Sequence, residues 1–100
     1  MKVHFTLLAL SDLQDLREYL EPRSQLGLAN VIADIESTTR NIPGSITRGL
    51  RTPRDDVWEK ISPNYKYRTP YYIQDEVLYV LRVYHPSRKP LDYKVILKLE

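Results

Sequence analysis

Val77-Leu78-Tyr79-Val80-Leu81-Arg82-Val83-Tyr84, running straight into His85-Pro86-Ser87-Arg88-Lys89, is the stretch on which the reading of this chain turns. Val, Leu and Tyr are what an interior strand fills with. His, Ser, Arg and Lys are not needed by a strand as it leaves the sheet. A buried strand that delivers cations and an imidazole to one edge reads as a site on a scaffold. Working back from it, Gln74-Asp75 is a tight hairpin connection to residues 65–73, an aromatic segment with partial alternation. Pro70 lies inside that segment and cannot donate to a ladder, so the strand is at an edge there or bulged. Ser62-Pro63-Asn64 is a turn before a strand at 57–61, and residues 46–50 form a further strand beyond a loop through Thr52-Pro53-Arg54-Asp55.

The pattern changes before Gly44. Val3 to Phe5 forms a short first strand, and Thr6 is placed to cap a helix. Ala9, Leu13, Leu16 and Leu20 then make one helical stripe, stopped by Pro22. Ser24 caps a second helix whose apolar side carries Leu28, Ile32, Ile35, Thr39 and Ile42, ending at Pro43-Gly44. Two amphipathic helices with a short link make a hairpin. Packed on strands joined by short turns, they predict an α+β fold: an N-terminal strand and two-helix hairpin on a small, mainly antiparallel sheet. Residues 93–100 leave three options open: a strand, a short helix, or an arm docked on a partner.

One hundred residues with 42% hydrophobic content make a single domain with a modest core. There are no cysteines, which removes disulfides and thiolate metal sites and fits a reducing cytoplasm. No apolar segment near Met1 reaches signal-peptide or membrane-spanning length, so the expectation is a soluble cytoplasmic protein with no membrane partner. His4 and His85 give no metal-ligand spacing, and no Gly-rich phosphate loop is present, so no cofactor is expected. The net charge of +2 divides unevenly, at −3 for residues 1–36 and +5 for 37–100. A basic C-terminal part suits phosphates or an acidic partner, although it also suits ordinary solvated surface.

Three groups of residues carry a family resemblance: Ala9-x-x-Asp12-Leu13-x-x-Leu16-x-x-Tyr19, then Asp56-Val57-Trp58-Glu59 and Tyr67-Arg68, then Leu81-Arg82-Val83-Tyr84-His85-x-x-Arg88. Their order and spacing resemble the RelE/ParE toxins of type II toxin–antitoxin systems. The resemblance implies the same strand, hairpin and antiparallel sheet, and a cognate antitoxin that wraps the toxin. It also implies growth inhibition and plasmid stabilisation. RelE-like members are ribosome-dependent mRNA endoribonucleases (mRNA interferases), whereas ParE-like members poison DNA gyrase without being known as enzymes.

Attack by a ribose 2′-hydroxyl needs a proton acceptor, charge stabilisation at the phosphate and a donor for the leaving oxygen. RelE-like enzymes use an arginine on the Y-R strand, another after the last core strand and a tyrosine soon after. Arg68, Arg88 and Tyr93 resemble those places, and His85 resembles a C-terminal histidine of some relatives. Guanidinium forks match phosphate oxygens. Lys60, Lys66, Lys89 and Arg54 are the accompanying candidates for binding RNA or another target. Each has a structural alternative: Arg68 pairs with Asp55, Asp56 or Glu59, His85 ties down a strand end, Arg88 and Lys89 form a solvated turn, and Tyr93 packs. Trp58 and the tyrosines at 65, 67, 71 and 72 stack on bases or fill a core or an antitoxin groove. The low net charge and the shared L-R-V-x-H-x-x-R ending favour gyrase. The joint presence of Arg68, Arg88 and Tyr93 favours the ribosome and mRNA, and that is the expectation adopted, with gyrase as the alternative.

Overall fold

In the computed structural model, which describes residues 1–88 and 90–100, β1 (Lys2–Phe5) leads into α1 (Leu7–Leu20) and α2 (Gln25–Asn41). After a 3-10 turn at Ile42–Gly44 come β2 (Leu50–Arg51), β3 (Trp58–Ile61), β4 (Arg68–Gln74) and β5 (Val77–Val80). A second 3-10 turn spans Tyr93–Val95. The five strands lie in the order β1-β5-β4-β3-β2, with β1 parallel to β5 and every other pair antiparallel. The expected α+β architecture is therefore present, with β5 as an interior strand.

Both helices start where the sequence places a cap. Thr6 Oγ1 accepts from the Ala9 amide at 3.2 Å, and Ser24 Oγ accepts from Gly27 at 2.9 Å. Ala9 and Leu16 are buried, with Leu13 and Leu20 packed beside them, so the α1 stripe faces the sheet. From α2, Leu28, Val31, Ile35 and Thr39 are buried, as is Ile42 just beyond it, while Ile32 is partly buried beside them. The same core takes Tyr71, Leu78 and Val80, which alternate along β4 and β5 with Tyr72 and Tyr79 on the opposite face. That opposite face is covered by the chain's own tail. Ile96 is buried against Val57 and Leu81, with Leu91, Tyr93, Leu97 and Leu99 around it. Of the three options for the tail, a short helical turn docked on its own sheet is the one realised.

Pro70 sits in β4, between two strands, and a bulge accommodates it. Tyr71 pairs with Val80, but Arg68 bridges Tyr84, so the β5 side holds one extra residue between the two pairs. Leu81 N donates to the Pro70 carbonyl at 2.9 Å, and Pro70 has no N–H to return. The Leu81 carbonyl instead accepts from Thr6 Oγ1 at 3.0 Å. Thr6 thus caps α1 and completes the ladder with one hydroxyl. The bulge also turns Arg82 and Val83 together toward α1. There Asp12 accepts from Arg82 Nε at 2.7 Å, from Arg82 Nη2 at 2.8 Å and from the Val83 amide at 2.9 Å. The amide freed by the bulge is satisfied by the helix.

Several boundaries differ from expectation. The strand predicted at 46–50 is confined to Leu50–Arg51, because Gly49 adopts φ +104° and breaks the extended run. A β-carbon there would also collide with the Glu59 carbonyl. The strand predicted at 65–73 starts at Arg68, since Lys66 takes a left-handed φ of 64° in the preceding turn. Buried Asp34 fixes that turn from α2, accepting from the Asn64 and Tyr65 amides. The hairpin turn falls on Asp75-Glu76, one residue later than predicted, with φ of 52° and 64° at its two positions, as a two-residue connection of this hand requires.

Candidate functional site

The tail-covered face holds a carboxylate bound from three sides. Glu59 shares this face of β3 with Val57 and is 3% exposed. Its Oε1 accepts from the Tyr84 and Tyr93 hydroxyls, both at 2.8 Å, and its Oε2 accepts from Arg68 Nη1 at 3.1 Å. Arg68 comes from β4, Tyr84 from the residue bridged to it, and Tyr93 from the docked tail. Of the three acids the sequence offers to Arg68, the structure selects the buried one. Burial pulls the Arg68 guanidinium down, but bonding to Glu59 and Tyr84 outweighs it and the net shift is upward. The Tyr93 phenol is pushed far up, first by burial and then by Tyr84 and Glu59, so it stays protonated at neutral pH.

His85 and Arg88 stand apart from that carboxylate, on the turn that begins one residue after Tyr84. His85 Nδ1 lies 2.8 Å from Ser87 Oγ and accepts from the Ser87 amide at 3.2 Å. Since Nδ1 accepts, the Ser87 hydroxyl is the donor in the first contact. The His85 ring meets Tyr67 edge-on, with centroids 5.3 Å apart, and the Arg88 amide closes the turn onto the His85 carbonyl. Arg88 is exposed. Arg68 and Tyr93 are thus brought together on Glu59, and His85 with Arg88 on the neighbouring turn.

The other candidates lie elsewhere. Lys60 projects from the face of β3 opposite Glu59, where Nζ donates to Ser45 Oγ at 2.8 Å and to the Thr47 carbonyl at 2.9 Å. Lys66 is an exposed turn residue. Arg54 grips Asp56 with two bonds of 3.0 and 3.1 Å, which raises the guanidinium and lowers the carboxylate pKa. Lys89 lies outside the described residues. Trp58 is flanked by guanidiniums, with Arg48 at 5.6 Å and Arg51 at 4.9 Å from its ring centroid. The described residues include no cluster of acids and histidines fit to hold a metal, and no helix long and apolar enough to cross a membrane.

Glu59 and Tyr84 were not among the site candidates. The signal for Glu59 was its period-2 relation to Val57 and Ile61, which places an acid on an apolar face where it needs donors. Tyr84 had no such signal, because the bulge decides which way it points.

Four phenols, Tyr67, Tyr71, Tyr84 and Tyr93, are raised above the ordinary tyrosine value, in each case chiefly by burial. A phenol raised in the folded state keeps its proton when the unfolded chain would release it near pH ~10. Its contribution to stability is complete below that value and is lost as pH climbs toward the folded pKa. We expect the urea midpoint to be level through pH ~9 and to fall steadily above pH ~10. A midpoint unchanged at pH ~11.5 would contradict the burial of these hydroxyls.

Comparison with known proteins gives the class and then the family. A solved chain from the "Chromosomal ParDE TA system from P. aeruginosa" superposes with a TM-score of 0.73 at 15% identity, covering 85% of this chain and 95% of that one. At that identity the likeness is one of fold. A family model, the ParE toxin of the type II toxin–antitoxin system parDE, matches residues 3–90. No curated protein matches the sequence. The chain is thus a toxin-type protein of a type II toxin–antitoxin system. It belongs to the ParE toxin family.

Proposed function

We propose that this toxin acts by binding a protein target, with DNA gyrase as that target, and that a cognate antitoxin neutralises it. The reading gives the alternative held from the sequence precedence over the ribonuclease. The observation that carries it is the engagement of Arg68 and Tyr93 by Glu59. Arg68 has its charge balanced by a buried carboxylate rather than open to a phosphate. Tyr93 donates its only proton to that carboxylate and is held neutral, which removes it as a base at pH 7. In this reading Arg68, Tyr84 and Tyr93 clamp the tail to the sheet, and residues 1–100 work as one domain. Membership of the ParE family supports the same choice.

One observation favours a second reading. Arg88 is exposed on the turn that half-buried His85 begins, so a guanidinium and an imidazole sit on one turn that RNA could reach.

Two assays separate the readings. Purified toxin is added to gyrase with relaxed plasmid and ATP, and separately to a reconstituted translation reaction followed by primer extension. We expect loss of supercoiling and intact message. A-site cuts that disappear in Arg88→Ala, with supercoiling unaffected, would overturn the proposal. Expression without antitoxin is expected to arrest growth.

A further inference from the structure

The segment from Ser37 to Arg54 carries four arginines, at 40, 48, 51 and 54, and no acid. Its later part is braced by hydrogen bonds from β3, β4 and its own threonine. Lys60 holds Ser45 and Thr47, and Tyr71 OH donates to the Arg48 carbonyl at 2.6 Å. Thr52 Oγ1 contacts the Val57 carbonyl at 2.8 Å and accepts from the Arg54 amide at 3.1 Å. Gly49 admits no side chain against β3. What this bracing displays is open to a partner: Ile46 is fully exposed, Leu50 is 44% exposed, and the Arg48 side chain, set against the Trp58 ring, makes no ion pair among the described residues. Arg51 lies against the Trp58 ring, and its ion pair, with Asp55, is an exposed 3.2 Å contact that a partner's carboxylate can replace at little cost.

We propose that this loop and the free edge of β2 are the surface with which the toxin grips its target protein, and that the segment gripped is extended and acidic. The inference rests on the proposal that the toxin acts by binding a protein. β2 is the last strand of the sheet, paired among the described residues with β3 alone, so its outer N–H and C=O groups are open to an added strand. Arg48 and Arg51 flank that edge and call for carboxylates, while Ile46 and Leu50 call for apolar side chains between them. Nucleic acid fits less well. The Trp58 ring is already covered by two guanidiniums instead of open for base stacking, and phosphates make no use of Ile46 or Leu50.

The test titrates isotopically labelled toxin with a synthetic peptide of alternating glutamate and valine, with a lysine–valine peptide and a DNA duplex as comparisons. Expected are amide shifts confined to residues 46–51 and the Trp58 indole for the acidic peptide alone. Binding should weaken at least tenfold in Arg48→Glu/Arg51→Glu and in Ile46→Asp, with thermal melts showing both variants folded. The same variants should need at least tenfold more protein to inhibit gyrase. Shifts elsewhere, no shifts, or a response of the loop to DNA alone would overturn the inference. So would undiminished gyrase inhibition by the variants, or loss of antitoxin neutralisation with gyrase inhibition intact, which would assign the edge to the antitoxin. A wild-type protein that leaves gyrase untouched would sink the proposed target, while the peptide titration would still decide the surface.

Discussion

Glu59→Ala is expected to be the most damaging single substitution in this chain, lowering the unfolding free energy by about 3 kcal/mol. The loss has two parts. The Arg68 guanidinium loses its counter-charge, and its Nε already lacks a hydrogen-bond partner among the described residues, so little local compensation exists. The Tyr84 and Tyr93 hydroxyls lose their acceptor in the same step. The value sits at the low end for breaking a buried pair because the Arg68 side chain is 33% exposed and can partly rehydrate. Against a typical domain stability of roughly 5–15 kcal/mol, this is a large share. Urea denaturation of Glu59→Ala, Arg68→Met and the double variant measures it. The double variant should be more stable than Glu59→Ala, because an absent guanidinium needs no partner. Additive losses would show that the two residues do not act as a pair.

Asp12→Ala is expected to cost about 2–3 kcal/mol, on the scale for charge-assisted hydrogen bonds. One carboxylate there closes a bidentate contact with Arg82 and satisfies the Val83 amide. Asp12→Asn separates the two duties. Its amide carbonyl can still meet Val83 N, but its charge and second acceptor are gone, so about half of the loss should return. The Arg82 guanidinium is raised, first by its bond to Asp12, so the contact favours its charged form. Amide exchange at Val83 gives the local readout. It should quicken in Asp12→Ala beyond what the global loss of stability explains, and equal exchange in the two proteins would argue that the amide finds another acceptor.

Much of this architecture is legible in the chain because it is periodic. The stripe Ala9, Leu13, Leu16, Leu20 and the alternation of Tyr71, Tyr72 and Ile73 against Leu78, Tyr79 and Val80 state which face is buried. Pro70 announces a defect in the ladder and leaves its form open. The illegible parts are those where a residue far along the chain decides. Nothing near Glu59 says that Tyr93 will reach it, and nothing near Asp12 names Arg82. The site shows this best. The sequence leaves Arg68 open between a phosphate and a neighbouring acid, and Tyr93 between chemistry and packing, and the two meet on Glu59 only when the tail folds back across the sheet.

The pairing of β1 with β5 has a consequence in time. Residues 2–5 leave the ribosome well before their hydrogen-bonding partners, residues 77–80, and the Thr6 hydroxyl waits for a carbonyl 75 positions downstream. The interior strand therefore closes only after residue 80 has emerged, and the contacts on Glu59 only after residue 93. The nascent chain can form its helical hairpin early, but the apolar stripe of that hairpin then has no finished sheet to cover it. That interval is set by topology alone.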